Sequence, residues 1–174
     1  MRQAVVGVAI ALLATHRVAI AQAIPQSIAQ AESEATAFPH ASASPQAAFP
    51  ASEAGGSTER RCMSATDRGA RLSLRSGDII VRGPLTANAG EGQKFLWIPL
   101  HAGRDARSPL ALRAIRVGHP ADSLRLSVHG PVHGASPSGP LYGYASLVMF
   151  PSAGQWMVVA TAGEDWGCFL VTAE

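Results

Sequence analysis

The sequence predicts an all-β fold, a two-sheet antiparallel sandwich of seven or eight strands that follows a disordered N-terminal leader. Three observations predict it. From Arg60 onward, short apolar runs are separated by Gly and Pro. None of these runs sustains a helical period, and the segment Ser123–Val128 alternates strictly between polar and apolar residues. Many short strands joined by Gly/Pro turns are typical of a sandwich.

The first 23 residues have the pattern of a signal peptide. A positive start precedes an apolar run over residues 4–14, and Ala21-Gln22-Ala23 supplies the small residues that signal peptidase requires. We therefore expect a secreted or periplasmic product. No stretch approaches about 18 apolar residues, so we expect no membrane span after cleavage. His16 and Arg17 interrupt the pattern, and the alternative is an N-terminal helix that stays attached.

Residues 24–59 are predicted to form a disordered linker rich in Ala, Pro, Ser and Glu, since their few large apolar residues cannot offset the entropy of ordering them. The linker carries four Glu and no Lys or Arg, whereas the domain over residues 60–174 carries 12 basic and 8 acidic side chains. These opposite charges would let the linker fold back on the domain, or let the domain meet an anionic surface. Ordinary solvated charge is the favoured interpretation.

Eight windows of the domain are predicted to be strands. They are Ala70–Leu74, Asp78–Val81, Lys94–Leu100, Leu110–Val117, Ser123–Val128, Tyr142–Phe150, Gln155–Ala162 and Asp165–Thr172. The apolar pattern shifts by one residue between Leu112 and Ile115, which predicts a β-bulge. Gly163-Glu164 predicts a two-residue hairpin of type II′ between the last two strands.

The two cysteines, Cys62 and Cys168, lie near the two ends of the domain. An even cysteine count in an exported chain favours a disulfide. The bond would tie the first element of the domain to its last strand, and the alternative is two free thiols.

The segment His129-Gly-Pro-Val-His133 is the nearest approach to a metal motif. A turn at Gly-Pro would bring both imidazoles together on copper or zinc, with Met149 or Met157 as possible thioether ligands for copper. Because no Cys, Asp or Glu cluster completes the set, plain loop histidines are favoured. We expect no cofactor.

The sequence holds no motif that indicates catalysis. It has no Gly-x-Ser-x-Gly elbow, no His-Glu-x-x-His, no carboxylate pair in an apolar setting and no phosphate loop. The acidic pair Glu164-Asp165 falls in the predicted hairpin, where turn geometry explains it. We therefore predict no catalytic residues and no enzyme. Nucleic acid is excluded as a partner, because the arginines are dispersed and no aromatic platform interleaves with them.

One candidate ligand surface is aromatic. In the predicted strand Lys94–Leu100, either Phe95 and Trp97 or the alternate residues Leu96 and Ile98 must point outward. If Phe95 and Trp97 did so, they would form a platform suited to a sugar ring or a protein.

A second candidate surface is basic. Arg113, Arg116 and Arg125 are predicted to lie on the outward faces of two consecutive strands. At a strand spacing of about 4.8 Å, their side chains would form one patch. An anionic glycan or the linker's own glutamates would relieve the repulsion within it. Three solvated arginines are the favoured alternative.

The end of the chain resembles a known class of domain. Phe150-Pro-Ser-Ala-Gly-Gln-Trp and the closing strand Asp165–Val171 resemble the final hairpin of small secreted bacterial immunoglobulin-like or fibronectin-III-like sandwiches. There, a Pro-x-x-Gly-x-aromatic turn introduces the penultimate strand and Phe-x-Val ends the last. The resemblance implies an immunoglobulin-like sandwich. The hairpin also resembles that of periplasmic copper-resistance proteins, whose N-terminal metal-binding histidine is not evident near Ile24.

These observations predict an exported, non-enzymatic binding or structural module of the cell envelope or secreted fraction. Its partner would be an unidentified protein or an anionic glycan. The alternative is a periplasmic copper- or zinc-binding protein that uses His129 and His133.

Overall fold

The computed structural model describes residues 23–39, 54–57, 59–69, 71–101, 108–136 and 139–174. Over these residues the chain forms two β-sheets packed as a sandwich, with a helix against one outer face. The elements are α1 Ile28–Ala37, β1 Ala54–Ser57, β2 Cys62–Ser64, β3 Ser73–Ser76, β4 Ile79–Arg82, β5 Thr86–Ala87, β6 Gly92–Pro99, β7 Leu110–Arg116, β8 His119–Val128, β9 Val132–Ser136, β10 Gly139–Met149, β11 Gly154–Ala162 and β12 Asp165–Ala173.

The two-sheet sandwich predicted from the sequence is confirmed, but its sheets are mixed. Sheet A has the order β1-β3-β4-β6-β10-β9, and sheet B has the order β2-β12-β11-β7-β8 with β5 also paired to β12. Three short pairs, β1 with β3, β2 with β12 and β5 with β12, are parallel. All eight predicted strands overlap observed ones. The strands that were not predicted are β1, β2, β5 and β9.

The core lies between the two sheets and is built from alternate residues of each strand. Trp156, Val158, Ala160 and Ala162 of β11 all point into it, as their spacing predicts. We call the side of a sheet that faces this core its inner face, and the opposite side its outer face.

The final hairpin is present, whereas the predicted bulge between Leu112 and Ile115 is not. Ala162 pairs with Asp165 across Gly163-Glu164, and Gly163 has a φ of 58°. Because no described residue other than glycine has a positive φ, Glu164 does not adopt the type I′ conformation, which agrees with the predicted type II′ turn. β7 pairs with β11 without a break from Leu110 to Arg116, so Ile115 lies on the outer face, and the register shifts only between Ile115 and Arg116 in the pairing with β8.

Cys62 and Cys168 form the predicted disulfide. They lie side by side on the parallel strands β2 and β12, with their Cα atoms 4.4 Å apart and a sequence separation of 106. The bond therefore closes nearly the whole domain into one covalent loop.

Helix α1 corrects the expectation that residues 24–59 are disordered, for the part of the segment that the structure describes. Ser27 caps its N-terminus, because its hydroxyl accepts the N–H of Gln30 at 3.1 Å. Ala31 and Ala35 are fully buried against sheet B, and Phe38 is 7% exposed. Small residues let the helix approach closely, so few large apolar groups suffice. Residues 40–53 lie outside the described residues.

The predicted signal peptide falls almost wholly outside the described residues, which begin at Ala23. Within the described part of the chain, no helix is both long enough and apolar enough to cross a membrane.

Candidate interaction site

The outer face of β10 carries a stripe of exposed apolar side chains. Leu147 is 60% exposed and Met149 is 59% exposed, and Ala145 lies exposed two residues before Leu147 on the same face. The residues between them point to the core and are buried: Ser146 accepts a 2.8 Å hydrogen bond from the indole N–H of Trp97, and Val148 belongs to the central cluster. The strand is therefore held firmly from one side while its other side presents apolar surface.

The same segment of β10 has a free backbone edge within the described residues. From Tyr144 to Met149 it pairs with β6 on one side. On the other side β9 pairs only with the segment 139–143, ending at Gly143 opposite Val132. Among the described residues, the five from Ala145 to Met149 thus have no strand paired to them on this side, and their outward N–H and C=O groups are open to another strand.

The opposite sheet ends differently. Strand β8 forms an edge of sheet B and carries Pro120, Asp122 and Arg125 along it. Proline and charges on an edge strand discourage pairing with other chains. The segment from Ala145 to Met149 contains neither. We call this segment, with its exposed stripe Ala145, Leu147 and Met149, the β10 edge.

The aromatic platform proposed from the sequence is not formed. Phe95 is 3% exposed and Trp97 is fully buried, and both point into the core from β6. Their rings lie 5.4 Å apart, and Trp97 also packs edge-on against Phe169. The alternate residues Leu96 and Ile98 take the outer face. Both sets are apolar, so sheet packing decides which one is buried.

The predicted basic patch is not formed either. Arg113 lies on the outer face of sheet B but is only 4% exposed, because α1 covers it. Arg116 lies opposite Trp156 in the pairing of β7 with β11, which places it on the inner face. It forms a 3.0 Å ion pair with Asp122. Arg125, opposite Arg113, remains exposed. Regular alternation along β7 puts Arg116 on the face opposite to Arg113, and α1 covers Arg113, so Arg125 is the one of the three that stays exposed on the outer face.

Arg113 instead anchors the N-terminal segment. Its Nη1 donates to one carboxylate oxygen of Glu34 at 3.1 Å, and its Nη2 donates to the other. Nη1 also donates to the carbonyl of Ala23 at 2.8 Å. A bidentate pair of this kind is strong and directional. The described N-terminal part of the linker therefore folds back on the domain through Glu34, the possibility raised by the separation of charge along the sequence.

Two further contacts fix α1. Glu32 accepts the backbone N–H of Cys62 at 2.8 Å, which ties the helix to the strand that carries the disulfide. At the C-terminal end, Arg60 donates to the carbonyls of Ala35 at 2.9 Å and Phe38 at 3.3 Å. A cation at these carbonyls is favourable because helix C-termini carry partial negative charge.

A buried cluster that the sequence did not predict lies where β6 ends and β12 begins. The Asp165 carboxylate is fully buried and binds both the backbone N–H of His101 at 2.8 Å and its Nδ1 at 2.7 Å. Nearby, burial lowers the pKa of Arg75, and the charges of Asp78 and Asp165 oppose that shift. The partners are 64 residues apart in sequence, so no local pattern signals the contact. Among the described residues, the hydrogen bonds of His101 go to Asp165, which makes the pair a link between the two sheets.

The two histidines of the candidate metal motif are exposed. His133 lies on β9, where its ring packs edge-on against Tyr142 at 4.9 Å. His129 precedes the turn at Gly130, with Nε2 3.5 Å from the hydroxyl of Ser127. Over the described residues, no group of three or more His, Cys, Asp and Glu is placed to hold a metal ion. Metal binding stays a prediction that titration with copper or zinc would test.

Over the described residues, the fold is a disulfide-closed β-sandwich, and the β10 edge is an apolar strand segment that is paired on one side. Comparison with protein-family models, curated proteins and solved structures finds no match.

Proposed function

We propose that this chain is an exported, non-enzymatic binding module of immunoglobulin-like sandwich type that takes up a protein partner along the β10 edge. One observation carries the proposal. Leu147 and Met149, at 60% and 59% exposure, stand on a strand segment whose backbone edge is also free among the described residues. Exposed apolar surface of this kind marks interaction sites.

The chemistry of the site favours an extended polypeptide as its partner. A free strand edge offers alternating N–H and C=O groups, which a second strand satisfies and a sugar or small anion does not. The exposed stripe then gives specificity, since every second residue of the added strand meets Ala145, Leu147 or Met149. The described arginines do not form the patch that an anionic glycan would need, and a protein is therefore the partner we favour.

Export is supported by two independent features. The first 23 residues carry the signal-peptide pattern, and the chain has a disulfide between its two cysteines. Disulfides persist in secreted and periplasmic proteins but are rare in the cytosol. Together they favour the secreted or periplasmic fraction as the place where the module works.

Photo-crosslinking in the producing organism tests the proposal. We would introduce p-benzoylphenylalanine at Leu147 and, as a matched control, at Leu72, which is 79% exposed and lies outside the β10 edge. We expect a protein adduct at Leu147 and none above background at Leu72. Equal labelling at both positions would contradict the site, and recovery of the chain from the cytoplasm with reduced cysteines would contradict export.

A further inference from the structure

We propose that export processing cuts the chain after Ala21, so that the mature protein begins at Gln22 and keeps the carbonyl of Ala23 as part of its fold. The inference rests on the proposed function, because it assigns the bond that is cut during export. Two bonds follow the small-x-small pattern of signal peptidase: one comes after Ala19-Ile20-Ala21 and the other after Ala21-Gln22-Ala23. The pattern does not choose between them, whereas the contacts of Ala23 do.

The first reason is that Ala23 supplies an acceptor to a buried cation. Its carbonyl accepts a 2.8 Å hydrogen bond from Nη1 of Arg113, whose side chain is only 5% exposed. The other acceptor of this guanidinium is the carboxylate of Glu34, and Nε is buried without a hydrogen-bond partner among the described residues. A cut after Ala23 removes the carbonyl and adds a second N–H without a protein acceptor, which is costly for a buried group.

The second reason is charge. A cut after Ala23 turns the backbone nitrogen of Ile24 into an ammonium. This nitrogen lies within about 5.4 Å of Nη1 of Arg113, because only the C=O and C–N bonds of Ala23 separate it from the oxygen that Nη1 binds. Like charges at this distance repel each other, most strongly where little water screens them. The carboxylate of Glu34 would then have to serve two cations.

The described contacts keep the new ammonium near the guanidinium. Ile24 packs against the apolar cluster under α1, and Pro25 is buried. The Ile24 carbonyl also accepts the side-chain amide of Gln26 at 2.7 Å. A cut after Ala21 instead moves the charge up to about 7 Å further along the chain, beyond Ala23, which is exposed. Water can hydrate the ammonium there, and the carbonyl stays on the guanidinium.

The mass of the exported protein tests the assignment directly. The full chain would be expressed in an exporting host, and the intact protein of the periplasmic or secreted fraction would be weighed. We expect the mass of residues 22–174 with one disulfide. An N-terminal glutamine can cyclise, because its amine attacks the carbon of its own side-chain amide and ammonia leaves, so the cyclised mass counts as the same start.

The same measurement separates this inference from the proposed function. The mass of residues 24–174 would support export and overturn the cut after Ala21. A chain that keeps residues 1–21 and stays in the cytoplasm would contradict export and the inference together.

Two matched substitutions distinguish the two bonds. Ala19→Phe replaces a required small residue of the first pattern only, and Ala23→Phe replaces one of the second pattern only. Because Ala23 is exposed and contributes its backbone carbonyl, Ala23→Phe should leave the fold intact. We expect Ala23→Phe to keep the start at Gln22 and Ala19→Phe to lose it. The reverse pattern would overturn the inference.

Urea unfolding tests the physical reason. Deleting Gln22 and Ala23 joins Ala21 to Ile24, so the same cut yields a mature chain that starts at Ile24. We expect its unfolding equilibrium constant to exceed that of the wild-type mature chain by at least about tenfold, since a hydrogen bond to a buried charge is lost. In the Arg113→Met background the two starts should be equally stable. Equal stability of the two starts with Arg113 present would overturn the role of the Ala23 carbonyl.

Discussion

At the scale of single residues, Arg113 shows how far a strand position can depart from its expected role. Arginines are rarely buried unless their charge is paired. Arg113 has a carboxylate and a carbonyl as acceptors, both from the N-terminal segment about 80 and 90 residues away. Its side chain is 5% exposed and that of Glu34 is 22% exposed, so water screens the pair only in part.

The Arg113–Glu34 pair gives a prediction at this scale. Glu34→Ala should lower the free energy of unfolding by about 3 kcal/mol, because it leaves a buried guanidinium without its counter-charge. Urea unfolding followed by tryptophan fluorescence would measure the change. Glu164→Gln in the exposed final turn is the control and should have an effect within about 0.5 kcal/mol.

The double variant Glu34→Ala/Arg113→Met provides a second check on the pair. It should recover part of the loss, since it removes the unpaired charge together with its partner. If Glu34→Ala were as mild as the Glu164→Gln control, the pair would contribute little to the stability of the fold.

At the scale of elements, α1 depends on the sandwich for its stability. A helix of 10 residues is marginal in water on its own. Here Ala31 and Ala35 pack against an apolar outer face that includes Ile115, Met157 and Val159. The helix in turn covers side chains of sheet B that would otherwise face solvent, so the two are expected to stabilise each other.

Helix docking can be tested with one substitution. Ala35→Gln places a long side chain where the structure leaves no room, since Ala35 is fully buried. We expect the helix to detach and its amides to lose protection from hydrogen exchange. Ala37→Gln introduces the same side chain at an exposed position of the same helix and should keep the protection. Equal protection in both variants would contradict the docked helix.

At the scale of the whole molecule, the disulfide closes the domain. Cys62 lies on the strand at one end of sheet B and Cys168 on its neighbour, the last strand of the chain. A crosslink over 106 residues restricts the unfolded chain strongly. In the chain-entropy model it is worth at most about 5 kcal/mol. Domains of this size are stable by only about 5–15 kcal/mol in total, so the bond is a large share.

The double variant Cys62→Ala/Cys168→Ala tests this contribution. We expect it to lose about 2–5 kcal/mol of unfolding free energy and to melt at a lower temperature. A reducing agent should destabilise the wild type and leave the variant unchanged, which controls for other effects of the reagent. Wild-type thiols that react with an alkylating agent without prior reduction would contradict the bond.

The sequence alone determined the features that depend on local period and local chemistry. Alternation placed Leu124 and Leu126 on the inner face of β8 and Trp156 in the core, because a strand turns every second side chain to the same side. Gly163-Glu164 specified the final hairpin through the turn that glycine permits. The cysteine count and the export pattern predicted the disulfide.

The tertiary structure decided which partners each element meets. Phe95 and Trp97 on one face of β6 and Leu96 and Ile98 on the other are all apolar, so sheet packing decides which pair enters the central core. The sequence predicts a surface position for Arg113, but the distant helix α1 covers it. His101 and Asp165 form a hydrogen bond although they are 64 residues apart in sequence. The free β10 edge likewise depends on where β9 ends. Contacts between distant segments arise from packing and leave no periodic trace along the chain.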